Sequence, residues 1–350
     1  MFLESIIYVY YLCKGEKMKT KVAIIVPYFG KLPDTFSVWM KTARKNKNFD
    51  FYIITDDDTY SKSYDNLKFI KMDFIELKEK IQNIVGFNIN LNMPYKLCDY
   101  RPVYGTVFSE LLKKYDFWGF GDIDVFYGDL NDFINDSVLT RYDKIYSLGH
   151  LTLLRNNELC NNLWKTKHNY SVYRFDEAWK TPYSCHFDEG WGLSEIAKMN
   201  PKVRKYSSNN DYYDIYPFKK GFFSYDGQLR AKEERKKERI YFIWENGKLF
   251  RKSINGEKKE LAYVHFQKRK IRVENGLLQD NNQKCFYFFP NEITTRSNID
   301  SYINNWNYYV KELKLKKIKQ KVSGIKIHSI QQSVFRKLRP LLRETLKKNR

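Results

Sequence analysis

Residues 22–27, Val-Ala-Ile-Ile-Val-Pro, form the segment that most constrains the fold of this chain. A strand that is apolar at every position, rather than at every second one, is typically buried on both faces of a parallel sheet. The pattern after it predicts a helix over residues 33–46, buried strands over 51–55 and 67–72, and a helix over 75–85. This β-α-β-β-α order predicts an α/β fold with a Rossmann-like, mostly parallel sheet, with sites at the carboxyl ends of its strands.

The rest of the chain divides into a helical part and a β-rich part. Residues 104–115 have the spacing of a helix, residues 156–214 are helical and irregular, and residues 221–289 are β-rich with Asn-Gly turns. The predicted strands after residue 120 are residues 144–148, 151–154, 240–244, 248–251, 261–266 and 285–289. We expect residues 1–17 to be an extension before a natural start at Met18, residues 18–290 to form one domain, and residues 291–350 to form a basic helical tail.

The C-terminal segment carries much of the charge. The chain of 350 residues has a net charge of +21, and residues 311–350 hold fourteen Lys or Arg against Glu312 and Glu344. Its apolar residues recur near helical spacing, namely Ile330, Val334, Leu338, Leu341, Leu342 and Leu346. A basic amphipathic helix predicts attachment to an anionic membrane surface, with packing on its own domain as the alternative. Nucleic acid is not an expected partner, because Phe335 alone is available for base stacking there.

Several classes of protein are disfavoured by what the sequence lacks. No apolar stretch of about eighteen residues exists, so no membrane span is predicted. The absence of glycine-rich phosphate motifs counts against a dinucleotide oxidoreductase or an NTPase. Without a Cys-x-x-Cys pair, neither a zinc site nor a disulfide framework is indicated, and a reduced, cytosolic environment is expected. The five cysteines are Cys13, Cys98, Cys160, Cys185 and Cys285.

An apolar, aromatic run leads into two carboxylates at mid-chain. Residues 117–121, Phe-Trp-Gly-Phe-Gly, are followed by Asp122-Ile123-Asp124. If the strand extends through them, side chains spaced i, i+2 point to the same side. Two such groups suit a hard divalent cation that also holds a diphosphate. The alternative is a strand that ends in a turn with solvated carboxylates; Asp129 is expected to be a turn or capping residue.

Four motifs occur in order between residues 27 and 124. They are Pro27-Tyr28-Phe29, Thr55-Asp56-Asp57, residues 94–105 (Pro-Tyr-Lys-Leu-Cys-Asp-Tyr-Arg-Pro-Val-Tyr-Gly) and Gly121-Asp122-Ile123-Asp124. This order resembles bacterial glycosyltransferases of the A-type fold over residues 20–290. More narrowly, it is similar to a group found with capsular and surface-polysaccharide genes.

The resemblance implies a metal-dependent transfer of a sugar from a nucleotide-sugar donor, expected to be UDP-linked, to a glycan or lipid-linked glycan acceptor. It implies that Asp124 ligates Mn²⁺ or Mg²⁺ and that Asp122 meets the metal or the donor ribose. Residues 18–155 would be the nucleotide-sugar and metal half, and residues 156–290 the acceptor half. Similar enzymes supply a late histidine as a metal ligand, which favours His265 over its alternative role as a structural histidine.

The donor is expected to contact several of these motifs. Asp56 and Asp57 follow a strand and either accept hydrogen bonds from the nucleotide or cap the loop. For Lys96, Asp99 and Arg101, donor contact competes with a buried ion pair, because buried charges need partners. The residues predicted to bind the nucleotide sugar are Pro27, Tyr28, Phe29, Asp56, Asp57, Lys96, Asp99, Arg101, Asp122 and Lys268, the last through phosphate oxygens.

The acceptor side is expected at residues 186–195, His-Phe-Asp-Glu-Gly-Trp-Gly-Leu-Ser-Glu. An inverting transferase needs a general base near the acceptor hydroxyl, and a carboxylate on a loop at a helix start can serve. Asp188 is the first candidate and Glu189 the second. The alternative is a helix N-cap followed by first-turn acids.

Together these patterns predict a glycosyltransferase of surface-polysaccharide synthesis, located in the cytoplasm at the inner face of the cell membrane. A competing hypothesis is a non-catalytic basic protein that binds nucleic acid or polyanionic glycan through residues 311–350. A metal-dependent phosphotransferase or nuclease is a third, but it would normally need a denser carboxylate cluster for two metals.

Overall fold

A seven-stranded sheet organises the N-terminal part of the computed structural model. The structure describes residues 18–309 except 61–62, 169–171, 255, 268, 276, 278–282 and 297–298. In spatial order the strands are β3 (Leu67–Lys71), β2 (Phe49–Thr55), β1 (Val22–Pro27), β4 (Phe117–Gly121), β7 (Leu151–Arg155), β6 (Lys144–Leu148) and β8 (Lys205–Tyr206). Strands β1 to β4 run parallel, and β7 is antiparallel to β4. The predicted α/β class with parallel strands is confirmed.

The first two helices cover opposite faces of this sheet. Helix α1 (Phe36–Arg44) packs with Ile24 of β1 in one hydrophobic cluster, and helix α2 (Phe74–Val85) packs with Ile25 in the other. Successive residues of a strand point to opposite faces, so β1 is buried on both. This burial is what its uninterrupted apolar sequence predicts. Helix α1 is shorter at both ends than the predicted range 33–46.

The helix predicted over residues 104–115 is instead two short helices. A 3-10 helix (Pro94–Val103) leads into α3 (Tyr104–Val107), and α4 (Ser109–Leu112) follows. The break is at Phe108, whose φ of −108° and ψ of 24° lie outside the helical region. The helical part of the chain after β4 contains α5 (Asp136–Arg141), α6 (Glu158–Asn161), α7 (Phe175–Lys180) and α8 (Leu193–Met199).

A second, six-stranded sheet forms the C-terminal part and follows α9 (Gly227–Arg235). In spatial order its strands are β12 (Lys258–Leu261), β11 (Lys248–Ser253), β10 (Ile240–Glu245), β15 (Cys285–Phe289), β16 (Glu292–Thr294) and β14 (Arg272–Val273). Asn246 and Gly247 join β10 to β11 with positive φ values of 51° and 96°. Positive φ at both positions is what the predicted Asn-Gly hairpin turn requires.

The folded chain continues past residue 290, where we expected the tail to begin. Strand β16 pairs with β15, and helices α10 (Ile299–Asn304) and α11 (Trp306–Tyr309) pack against Phe289. The predicted extension and the predicted amphipathic segment lie outside the described residues. Within the described part of the chain, no helix combines the length and apolar character needed to cross a bilayer.

A three-stranded sheet brings distant parts of the sequence together. Strand β13 (Tyr263–His265) lies between β5 (Val125–Tyr127) and β9 (Tyr212–Asp214). The predicted strand over 261–266 is therefore divided between two sheets, since β12 ends at residue 261. The register pairs His265 with both Val125 and Asp214. This pairing places the turn before β5 beside the ends of β13 and β9.

Candidate metal centre

Asp122 and Asp124 lie in the turn between β4 and β5. The prediction that strand alternation aligns their side chains is wrong, because β4 ends at Gly121. The two carboxylates converge nonetheless, since β5 pairs with β13 beside His265. One ligand atom from each of Asp122, Asp124 and His265 lies within 4.8 Å of the others. Such a group of carboxylate and imidazole ligands fits a divalent cation such as Mn²⁺ or Mg²⁺.

Asp214 orients the imidazole of His265. Its Oδ1 lies 2.9 Å from His265 Nδ1 and also accepts a 2.7 Å hydrogen bond from Gln267 Nε2. The other ring nitrogen, Nε2, is 3.5 Å from Asp124 Oδ1. Burial alone would lower the pKa of His265, but Asp124 and Asp214 raise it to about 10. A carboxylate on one nitrogen of a histidine and a metal position at the other is a common arrangement in metalloproteins.

His150 is a second histidine of this cluster, and sequence reasoning missed both it and Asp214. It lies between β6 and β7, and its ring centroid is 4.3 Å from that of His265. Ligand atoms of His150, Asp214 and His265 lie within 4.8 Å of one another. Burial, and then the positive charge of His265, lower the pKa of His150 to about 3. The signals in the sequence were weak. His150 only follows a glycine between two short strands, and Asp214 only ends a short strand of two tyrosines.

Arg101 joins the metal turn to the predicted acceptor loop. Its guanidinium forms an ion pair with Asp122, donates a 2.8 Å hydrogen bond to Asp188 Oδ2, and donates another of 2.8 Å to the Gly149 carbonyl. Asp188 is only 1% exposed, and burial raises its pKa well above the usual range while Arg101 opposes the shift. A base must reach the acceptor hydroxyl. The prediction that Asp188 does so is therefore corrected: it is a buried partner of Arg101.

Glu189 is the more accessible carboxylate of the pair. Its side chain is 30% exposed, and its Oε1 accepts a 2.8 Å hydrogen bond from the Gly149 N–H. His186 Nδ1 lies 3.9 Å from the other carboxylate oxygen. Glu189 thus keeps solvent access next to the residues that contact Arg101.

Lys96 and Asp99 form a buried ion pair, which is one of the alternatives left open by the sequence. Lys96 Nζ is 2.5 Å from Asp99 Oδ2, and the two side chains are 1% and 0% exposed. Asp99 also accepts 2.8 Å hydrogen bonds from the backbone N–H groups of Cys185 and Phe187. The prediction that these two residues contact the donor is corrected, because their burial leaves no surface for a ligand. They hold the loop that carries Asp188.

The carboxylates after β2 tie two loops together. Asp56 Oδ1 accepts a 2.7 Å hydrogen bond from Gly30 N–H, and Asp57 Oδ2 accepts one of 2.6 Å from Leu32 N–H. They therefore fix the loop that follows β1, as their capping alternative predicts, and Asp56 remains exposed.

The residues at the end of β1 differ in their surroundings. Pro27 is the last residue of the strand and is half-buried. Phe29 is 8% exposed and packs on Phe74 with ring centroids 5.5 Å apart, so its predicted donor contact is corrected to a core position. Burial raises the pKa of Tyr28, and Asp124 and Asp57 raise it further, so the phenol lies near the metal turn. Lys268 lies outside the described residues.

The chain belongs to the family of unknown function DUF6625, whose model matches residues 24–297. No curated protein matches the sequence. Among solved structures, the galactosyltransferase LgtC in complex with donor and acceptor sugar analogs is similar at 12% identity and a TM-score of 0.32, over 55% of this chain and 75% of that chain. The glycosyltransferase GlyE of Streptococcus pneumoniae TIGR4 is similar at 14% identity and a TM-score of 0.28, over 55% and 46%.

Proposed function

We propose that the protein is a metal-dependent glycosyltransferase that moves a sugar from a nucleotide-sugar donor to a glycan acceptor. The observation that carries the proposal is the group formed by Asp122, Asp124 and His265, with ligand atoms within 4.8 Å of one another at the carboxyl end of parallel strand β4. Ligands bind at this end of strands in open α/β sheets. A cation held there would neutralise the negative charge that grows on a leaving diphosphate.

The chain's own residues would divide the remaining tasks. Tyr28 lies near Asp124 and Asp57, on the side of the turn where β1 and β2 end, and is placed to border the nucleotide. Arg101 carries a positive charge next to Asp122, so it fixes the carboxylate and adds a cation beside the expected diphosphate position. Lys268 remains a predicted phosphate contact.

Glu189 is our candidate for the group that accepts a proton from the acceptor hydroxyl. It is part-exposed, and its hydrogen bond from the Gly149 N–H fixes one of its oxygens. The neighbouring Asp188 would instead hold Arg101 in place. A base role applies to an inverting transfer, in which the base removes the proton as the hydroxyl attacks the anomeric carbon.

The finer assignments rest on the sequence. The donor is proposed to be UDP-linked, the acceptor to be a glycan or lipid-linked glycan of capsule or surface polysaccharide, and the site of action to be the cytoplasmic face of the membrane. The resemblance of the motifs within residues 20–290 and the basic character of residues 311–350 support these proposals.

The test is calorimetric titration of the full chain with UDP and other nucleoside diphosphates, with and without Mn²⁺, followed by a panel of nucleotide sugars. We expect tight nucleotide binding only with metal, and metal-dependent hydrolysis or transfer for one class of donor. Absence of any nucleotide affinity in saturating Mn²⁺ would refute the proposal.

A further inference from the structure

His150 is a buried histidine whose ring has unsatisfied nitrogens within the described part of the chain. The residue is 3% exposed, and neither Nδ1 nor Nε2 has a hydrogen-bond partner among the described residues. A neutral imidazole carries one donor and one acceptor, and burying both without partners is costly. A bound cation that accepts the lone pair of one ring nitrogen would remove part of this free-energy cost.

The surroundings of His150 are aromatic and would suit a residue without ring nitrogens. Its ring centroid lies 5.6 Å from that of Tyr212 and 5.4 Å from that of Tyr263. Phenylalanine could make the same edge contacts without an unsatisfied polar atom. Packing therefore gives no reason for an imidazole at this position.

The position of His150 gives such a reason. Its backbone carbonyl accepts a 3.2 Å hydrogen bond from the Asp122 N–H, and its ring centroid lies 4.3 Å from that of His265, with the two rings tilted by 31°. A ring nitrogen of His150 lies within 4.8 Å of ligand atoms of Asp214 and His265, and this group shares His265 with the group formed by Asp122 and Asp124. We propose that His150 is a further ligand of the cation, which gives the site two imidazoles; this inference rests on the proposed metal site.

Two imidazoles change which cations the site prefers. Mg²⁺ takes oxygen ligands almost exclusively, whereas imidazole suits first-row transition metals, whose affinities rise from Mn²⁺ through Co²⁺. The site is therefore a selective one, in which Co²⁺ and Mn²⁺ bind more tightly than Mg²⁺.

Pulsed electron paramagnetic resonance of Mn²⁺ bound to the full chain tests this without reference to turnover, because it counts nitrogen nuclei bonded to the cation. We expect two nitrogens in the unmodified protein and one in His150→Phe, which keeps the aromatic packing. His168→Phe, which replaces a buried histidine outside the cluster, is the matched control and keeps both. By calorimetry, His150→Phe should weaken Co²⁺ binding by at least about tenfold, because losing even a residue that only orients a ligand lowers metal affinity by about that factor. The affinity for Mg²⁺ should change little.

The outcomes separate this inference from the function it rests on. One nitrogen in the unmodified protein overturns the role of His150 while leaving the metal site intact. Two nitrogens that persist in His150→Phe overturn it as well. Failure of the full chain to bind Mn²⁺ at all overturns both the inference and the proposed function. The unmodified protein gives the decisive count, so the inference stays testable even if His150→Phe does not fold.

Discussion

Lys96 and Asp99 form an ion pair that is at most 1% exposed, whereas Arg101, two residues further along, pairs with an Asp122 that is 29% exposed. The first pair is closed: backbone N–H groups of Cys185 and Phe187 complete the hydrogen bonding of Asp99. The second is open, because Asp122 also belongs to a group of potential metal ligands. Within one short motif, burial separates residues that hold a loop from residues that can meet a ligand.

The two clusters differ in whether a bound ion would stabilise them. A buried ion pair whose hydrogen bonds are all made has no free atom to offer a ligand. Removing one partner of such a pair leaves an uncompensated buried charge. The metal turn gathers Asp122 and Asp124 beside His265, and a cation would balance their charge. The first cluster should therefore control stability and the second activity.

The largest expected effect separates the clusters by activity. Asp124→Asn should lower metal-dependent turnover by about a hundredfold or more, the range seen when one electrostatic group of a transition state is removed. The amide keeps the shape but not the charge that holds the cation. Without metal, stability should also fall, because Asp124 is the first of the two carboxylates that raise the pKa of His265 and so stabilise its protonated form in the folded state. Steady-state kinetics and urea unfolding measure the two quantities.

Asp129→Asn is the matched control for that change. Asp129 caps the next turn by accepting a hydrogen bond from Asn131 N–H, which an amide oxygen can also accept. Its turnover should stay near that of the unmodified protein. Near-full activity of Asp124→Asn would remove Asp124 from the metal site.

The reverse pattern is expected for the buried pair. Lys96→Met should lower the free energy of unfolding by about 3–5 kcal/mol, because Asp99 would remain charged, buried and unpaired. Lys113→Met is the control, since Lys113 pairs with Glu110 at the exposed surface and such pairs contribute little. Denaturant titrations of both variants decide the matter. A small loss for Lys96→Met, equal to that of the control, would abolish the contrast between the two clusters.

Proton release on metal binding sharpens the comparison further. The pKa of His265 is raised to about 10, so without metal its imidazole is protonated near neutral pH and must lose that proton to bind a cation. Mn²⁺ affinity should therefore rise with pH, with about one proton released per cation at about pH 7.5. Calorimetry in buffers of different ionisation enthalpy measures the release, and His265→Gln should abolish it.

The same raised pKa sets how the metal-free fold responds to pH. The folded-state pKa of His265 lies above the unfolded value of about 6.5, so protonation of His265 stabilises the fold. This contribution is fully present below about pH 6.5. The contribution is lost as pH rises through about 10. Unfolding measured in a chelator should show this decline, and a profile that is unchanged in His265→Gln would contradict the assigned cause.

Local sequence signals predicted the parts of the fold that depend on local physics. Strand β1 has the predicted bounds, since its apolar run matches burial on both faces. The Asn246-Gly247 turn followed from the need for positive φ at both positions. Strand β15 also has its predicted bounds, residues 285–289. In each case neighbouring residues alone decide the outcome.

The site was harder to predict, because its members meet through strand pairing. Asp214 and His265 are 51 residues apart in the sequence, and only the pairing of β9 with β13 brings them together. His150 has no motif around it, and its place follows from β7 pairing with β4. Asp188 and Lys96 were misjudged because a sequence motif does not report burial.

The smallest effect on activity is expected from the segment outside both clusters. Deleting residues 311–350 should leave activity on a soluble acceptor nearly intact, because every residue proposed to bind the donor, the metal or the acceptor lies between residues 27 and 268. Binding to anionic vesicles should be abolished, since each Lys or Arg near such a surface contributes roughly 1 kcal/mol.

The vesicle assay also separates charge from apolar insertion. Attachment of the full chain should weaken as salt rises, because exposed charges are screened over about 10 Å at 0.1 M. Replacing Leu338 and Leu342 with Asp should release the protein even at low salt if the apolar face inserts. The segment instead stabilises the domain if its deletion lowers the unfolding temperature while the full chain ignores vesicles. That result would mean that residues 311–350 contribute to stability, as the buried ion pair of Lys96 and Asp99 does, and not to membrane attachment.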